Sequence, residues 1–182
     1  MPRGGKRAAE LLCRLYAARR GLQVKIARCF AFVGPHLPLD IHHAIGNFIR
    51  DGLDGGPIRV AGDGTRCHLY LHTTDLAVWL WTILLRGESA PPYNVGSEET
   101  ISIVEVARTV VRLFGSDTRV EVAVAPVPGR AAERYVPSTR VARVGLGLRQ
   151  SLGLEESVRR TIAWYRQADA RGHCTPEQPS RP

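Results

Sequence analysis

The 182-residue chain is 44% hydrophobic and 23% charged with a formal net charge of +8, the profile of one ordinary globular domain and not of a disordered segment. No run approaches the ~18 apolar residues of a membrane span, since the longest, over 76–85, is closed by Asp75 and Arg86. The positive charge is almost all arginine, lysine occurring at Lys6 and Lys25. No recognition-helix motif and no basic stretch interleaved with aromatics is present, so nucleic acid is not an expected partner.

Cys13, Cys29, Cys67 and Cys174 are scattered and form no C-x-x-C pair, which reads as reduced thiols without a metal site or disulfide framework. The basic start, residues 1–7, is followed by no signal-type apolar region, so a cytoplasmic location is expected.

Residues 6–20 carry Ala8, Leu11, Leu12, Leu15 and Ala18 at helical spacing, and Gly21 supplies a left-handed stop. Residues 23–29 alternate as a strand. Residues 33–40, with Gly34, Pro35 and Pro38, form a loop. Helical spacing returns over 41–53 through Ile41, Ile45, Phe48 and Ile49 and ends at Gly55-Gly56-Pro57. Residues 58–61 and 67–71 read as strands flanking the Gly62-Asp63-Gly64 turn, and the pair suggests a hairpin. Thr73 or Thr74 is expected to cap a helix running to Arg86. A strand at 93–95 follows, and Ser102 with Glu105 makes an S-x-x-E capping box before a helix over 104–114. A strand at 119–125, a loop at 126–129 and a helix at 154–166 complete the series, and 171–182 reads as a disordered tail. Trp79, Trp81 and Trp164 are expected to pack helices.

Strands separated by helices predict an α/β fold. No G-x-G-x-x-G loop, the device that brings backbone N–H groups against a pyrophosphate, occurs anywhere in the 182 residues.

Several short blocks occur in an order that resembles the extended short-chain dehydrogenases of the NAD-dependent nucleotide-sugar epimerase/dehydratase family. Gly5-Lys6-Arg7-Ala8-Ala9-Glu10 resembles the helix that carries the lysine of a Y-x-x-x-K motif. Ala27-Arg28-Cys29-Phe30-Ala31-Phe32-Val33-Gly34-Pro35 looks like the strand-to-loop block A-R-x-x-N-x-Y-G-P. Asn47-Phe48-Ile49, the stretch Gly56-Pro57-Ile58-Arg59-Val60-Ala61-Gly62-Asp63-Gly64-Thr65, Asp75-Leu76-Ala77, Tyr93-Asn94-Val95-Gly96 and Arg134-Tyr135-Val136-Pro137 continue it.

The resemblance implies the end of a Rossmann-type parallel sheet over residues 1–36, followed over 37–170 mainly by the small α/β domain that holds the nucleotide sugar. It implies NAD or NADP as cofactor and a nucleotide-diphosphate sugar as substrate. A tyrosine, lowered in pKa by the nearby lysine ammonium, would exchange a proton with a sugar hydroxyl while the nicotinamide exchanges hydride with the same carbon. Carried over by position, Lys6 is the catalytic lysine and also meets the nicotinamide ribose, and Phe32 and Val33 lie beside the cofactor. Asn47, His68 and Arg134 face the nucleotide sugar. Relatives often dimerise through the helix after the lysine motif, so a homodimer or a complementary subunit is an expected partner.

The departures are as informative. The motif tyrosine falls at Pro2, which has no acidic proton. The amide of the strand-to-loop block is Ala31, the arginine after the glycine turn is His68, its neighbouring tyrosine is His72, and the aspartate after Val136-Pro137 is Ser138. Arg66, two residues before His68, shares its face along a strand and would partly substitute for the missing arginine if the local register shifts. His68 and His72 share a strand face in this reading but bring no third ligand for a metal, and His42-His43 suggest no site. The expectation is therefore a family member incomplete in this chain and inactive alone. The alternatives are a non-catalytic nucleotide-sugar-binding or accessory protein, or a truncated gene product.

Overall fold

The computed structural model describes residues 3–41, 43–115, 118–125, 127 and 136–171. The chain is an α/β protein of the Rossmann type, its elements being α1 (Arg3–Arg20), β1 (Ile26–Cys29), β2 (Phe32–Val33), α2 (Ala44–Leu53), β3 (Ile58–Val60), β4 (Cys67–His68), β5 (Leu71–His72), α3 (Thr73–Arg86), β6 (Pro92–Val95), β7 (Ile101–Ser102), α4 (Ile103–Phe114), β8 (Val120–Val122), α5 (Arg140–Leu146) and α6 (Leu154–Ala170). They fall into two compact units interleaved along the sequence. Residues 1–32, 69–99 and 136–151 make unit 1, and 33–68, 100–135 and 152–182 make unit 2.

In unit 1, β1 and β6 run parallel with Ile26 opposite Pro92 and Cys29 opposite Val95. Parallel strands need a long crossover, and that crossover carries α3. Leu71, Trp79, Ile83, Tyr93, Val95, Ala142 and Leu148 form the core, with Phe32 and Leu76 packed against it. Two side chains of α3 hold the segment that follows α5. The Trp79 indole N–H donates to the Arg149 carbonyl at 3.3 Å. The buried Asp75 carboxylate accepts from the Ser151 backbone N–H at 3.0 Å and from its hydroxyl.

In unit 2, β3 and β8 are parallel, Ile58 opposite Val120. Ile45, Phe48 and Ile49 of α2, Ile58 and Val60 of β3, Val106 and Val110 of α4, and Val158 and Ile162 of α6 are all buried. Each fully buried side chain of this kind contributes about 1.5–3 kcal/mol. The helices approach closely enough that a Cβ on Gly52 would lie 2.4 Å from the Phe114 ring.

Several sequence expectations change. The hairpin of 58–61 with 67–71 does not form, because β3 pairs in parallel with β8 while β4 pairs antiparallel with β7. Residues 67–71 are not one strand but two short ones separated at Leu69 and Tyr70, so His68 and His72 do not share a strand face. The third helix is capped by neither threonine: the His72 Nδ1 accepts the Thr74 backbone N–H at 3.1 Å. The second helix starts at Ala44, not 41, and α5 is an additional helix. Trp79 is buried as expected, but Trp81 is 63% exposed. Trp164 packs against His36 with the rings tilted by 53° and meets Tyr165 edge-on. The loop expected at 126–129 and the tail at 171–182 lie largely outside the described residues.

Candidate functional site

The glycine turn is built from its own side chains and then pinned by α4. Asp63 Oδ1 accepts the Thr65 backbone N–H at 3.0 Å and its hydroxyl at 2.9 Å, closing the turn. Gly64 has φ +71°, a conformation that favours glycine, and a Cβ there would lie 2.9 Å from the Val104 Cβ.

The first N–H groups of α4 then find partners. Ile103 donates to the Arg66 carbonyl at 3.0 Å, Val104 to the Gly64 carbonyl at 3.1 Å, and Glu105 to the Ser102 hydroxyl at 3.3 Å. The Glu105 carboxylate returns to the Ser102 N–H at 3.1 Å and holds itself below the usual carboxylate range through the Ser102 hydroxyl. A helix start whose orphan donors are satisfied in this way is not an anion site. Its effect is to fix the backbone of 64–68, from which the exposed Arg66 side chain and the half-buried His68 project at alternate positions.

Asn47 sits in the first turn of α2 with its carboxamide oriented so that Nδ2 donates to the Leu39 carbonyl at 3.2 Å and the Ile41 carbonyl at 3.1 Å. Its donors hold the loop at 37–41, leaving Oδ1 as the group it can offer a ligand. Arg50 Nη1 donates to the same Leu39 carbonyl at 3.2 Å, and the Tyr165 hydroxyl donates to the Leu37 carbonyl. Gly46 allows the approach, a Cβ there meeting the Pro38 carbonyl at 2.8 Å.

The other family positions lie in unit 1. Lys6 is exposed on the first turns of α1. One face of that helix is tied to β1 by a bidentate pair, Arg28 Nε donating to Glu10 Oε1 at 2.7 Å and Nη2 to Oε2 at 2.6 Å. Arg28's hydrogen bonds hold the Glu10 carboxyl below its usual range. Phe32 packs on the unit 1 core, and Val33, the first residue of unit 2, is fully buried. Pro2 and Arg134 lie outside the described residues.

Asn47, Arg66 and His68 thus belong to unit 2, and Lys6 and Phe32 to unit 1. His72, which stands where the family pattern has a tyrosine, is buried and caps α3. No group of three or more His, Cys, Asp or Glu side chains suited to a metal occurs among the described residues.

Residues 5–96, half of the chain, match the profile of the NAD dependent epimerase/dehydratase family. The chain belongs to that family. UDP-glucuronic acid decarboxylase 1 of Xenopus tropicalis is 31% identical over 163 residues, which is 90% of this chain and 38% of that protein. UDP-glucuronic acid decarboxylase 6 of Arabidopsis thaliana is 30% identical over 85% of this chain and 44% of its own length. Among solved structures, the Bordetella bronchiseptica enzyme WbmF in complex with NADH superposes with a TM-score of 0.79 at 22% identity, covering 89% of this chain and 51% of that one. The chain spans about two-fifths of the length of these curated relatives and half of that solved chain.

The 182 residues contain no glycine-rich loop of the kind that cradles a dinucleotide pyrophosphate. No helix among the described residues is long and apolar enough to cross a membrane.

Proposed function

We propose that this chain is the nucleotide-sugar-binding part of an NAD-dependent epimerase/dehydratase, acting on a nucleotide-diphosphate sugar when completed by a dinucleotide-binding polypeptide and not turning over by itself. The observation that carries the proposal is β1. It is a parallel-sheet strand, yet β1 and β6 form a two-stranded sheet, and its Arg28 and Cys29 are exposed. Strands of parallel sheets are ordinarily covered on both faces. A strand of this kind belongs beside further parallel strands.

The residues assigned to the sugar nucleotide divide the work by chemistry. Arg66, on a backbone pinned by α4, offers forked donors suited to a diphosphate. The position of the family's own arginine is taken by His68, a weaker partner for phosphate at neutral pH. Asn47 Oδ1 suits an N–H of the base, and Arg134 is a second candidate for the diphosphate. Lys6 would serve the nicotinamide ribose and a proton-transferring phenol, and Pro2 in the phenol's position leaves it without that partner. UDP is the first nucleotide to try, because the curated relatives named above act on UDP-glucuronic acid. The same reading places the protein in the cytoplasm, where Cys13, Cys29 and Cys67 stay as free thiols.

The test is paired. Titration calorimetry with UDP and UDP-glucuronate should show binding, and the same protein with NAD and UDP-glucuronate should show no NADH signal. Robust turnover sinks the incompleteness. Heat with none of the UDP-, dTDP-, CDP- and GDP-sugars sinks the substrate assignment.

A further inference from the structure

We propose that Tyr165 is a positioning residue for the nucleotide. By holding the loop at 36–41 it fixes which atom Asn47 presents, and so makes the site selective for a base that offers a ring N–H. The selectivity rests on Asn47 meeting the base, as proposed above. The loop begins with a turn that its own sequence does not favour. The Leu37 N–H donates to the Gly34 carbonyl at 3.2 Å, with Pro35 and His36 between them. His36 has φ 62°, a left-handed conformation that costs a residue with a Cβ about 1–2 kcal/mol and that glycine ordinarily supplies at the third place of a turn led by proline. A strained residue of this kind persists only where its surroundings hold it. The end of α6 does the holding. Trp164 lies against the His36 ring with centroids 4.4 Å apart, and Tyr165 meets Trp164 edge-on at 4.7 Å. The Tyr165 hydroxyl donates to the Leu37 carbonyl, 128 residues away in the chain. One turn earlier Thr161 and Ile162 are buried, so the clamp stands on a packed helix.

Beyond Leu37 the loop reaches Asn47. The Leu39 carbonyl accepts from Arg50 Nη1 at 3.2 Å and from Asn47 Nδ2 at 3.2 Å, and the Ile41 carbonyl accepts from the same Nδ2 at 3.1 Å. A carboxamide engaged in this way cannot turn over without giving up two hydrogen bonds. While the loop stays in place, Oδ1 is an acceptor of fixed direction. Uracil and thymine carry an N–H at ring position 3, and cytosine carries a lone pair there. A locked Oδ1 pairs with the first two and repels the third. A carboxamide free to turn over would serve both, offering Nδ2 to the lone pair. Selectivity of this kind comes from the polar group left unpaired with the wrong ligand, and it survives only as long as the loop keeps the carboxamide from turning.

Titration calorimetry of the full chain with UDP and with CDP reads the selectivity, and far-ultraviolet circular dichroism checks each fold. The wild type should prefer UDP. Tyr165→Phe keeps the ring against Trp164 and removes only the hydroxyl. It should bind UDP roughly fivefold more weakly, the worth of one hydrogen bond, and CDP no more weakly, so that the preference narrows. In an Asn47→Ala background the same change should leave the ratio of the two affinities where it is, because the residue it acts through is gone. In the ligand-free protein the side-chain amide protons of Asn47, assigned by their absence from the Asn47→Ala spectrum, should exchange slowly with water and severalfold faster in Tyr165→Phe. A wild type that binds UDP and CDP alike, a Tyr165→Phe that weakens both equally, a ratio that still shifts in the Asn47→Ala background, or Asn47 amide exchange untouched by Tyr165→Phe overturns the proposal. A wild type that binds neither nucleotide removes the sugar-nucleotide reading and the selectivity with it, while the amide exchange still decides whether Tyr165 holds the carboxamide.

Discussion

Unit 2 closes on itself and unit 1 does not, although both are built from a parallel strand pair and helices. In unit 2, α2, α4 and α6 bury their apolar faces against one another and against β3, and the start of α4 has its N–H groups satisfied by Arg66, Gly64 and Ser102. In unit 1, α1 leaves Leu11, Leu12, Leu15 and Tyr16 more than 40% exposed, α3 shows a second apolar face, and among the described residues β1 pairs in its sheet with β6 alone. The difference teaches that unit 2 buries its apolar faces within itself, whereas unit 1 keeps apolar helix faces at its surface. It also predicts that the units do not lose structure together, so that unfolding departs from one two-state transition.

The largest perturbation is Trp79→Ala. It empties the middle of the unit 1 core and removes the bond to the Arg149 carbonyl, so a loss of about 3–5 kcal/mol is expected. In urea this should move an early transition to lower denaturant and leave a later one, belonging to unit 2, in place. A single transition that shifts as a whole would erase the contrast between the units. Gly52→Ala acts on the other side. The new methyl meets the Phe114 ring, and overpacking there should cost about 1–3 kcal/mol, visible in the later transition alone.

Ser102→Ala removes the capping box of α4 and should cost about 1 kcal/mol. Because that box also steadies the backbone of Arg66, it should weaken UDP binding by a measurable factor in calorimetry, whereas Gly52→Ala should not.

The smallest effect is pH-dependent. Glu98 accepts from the Thr139 N–H at 2.9 Å and its hydroxyl at 2.7 Å, and pairs with Arg143. The Thr139 hydroxyl bond comes first in holding its carboxyl below the usual range. A depressed folded pKa means the stabilisation is complete above the ordinary value of about 4.3 and is lost as pH falls through the lower folded value. Solvent screening keeps it near 0.5–1 kcal/mol. Glu98→Gln should therefore destabilise unit 1 at neutral pH and make no difference once wild-type Glu98 is protonated. A penalty of equal size at both pH extremes would assign the loss to shape and not to charge.

What could be read from the sequence follows from where the information resides. The capping box, the Gly21 stop at φ +65° and the amphipathic stripe of α4 are local, and all three are present. Strand partners are not local. A turn between two short strands suggests a hairpin, but Val120 supplies the mate of Ile58 from sixty-two residues away. The helix α5 was missed for a similar reason. It has seven residues, and the Thr139 side chain makes no cap bond; the carboxylate that receives the Thr139 N–H is Glu98, forty-one residues earlier. His72 illustrates a third limit. By family position it marks only a lost tyrosine, whereas its ring closes the start of α3. Family position draws attention to Asn47 and His68, and strand spacing to Arg66. That the Asn47 donors are spent on the loop at 37–41 cannot be read this way, because the loop's approach depends on Gly46 and Arg50 acting together.

Hydrogen exchange followed by mass spectrometry, with UDP and with NAD added separately, tests the central claim most directly. Peptides covering 43–50 and 64–69 should slow with UDP, and no peptide, including that around Lys6, should respond to NAD. Protection of the Lys6 helix by NAD, or no protection anywhere by UDP, would contradict the assignment of this chain to the sugar-nucleotide side of the enzyme.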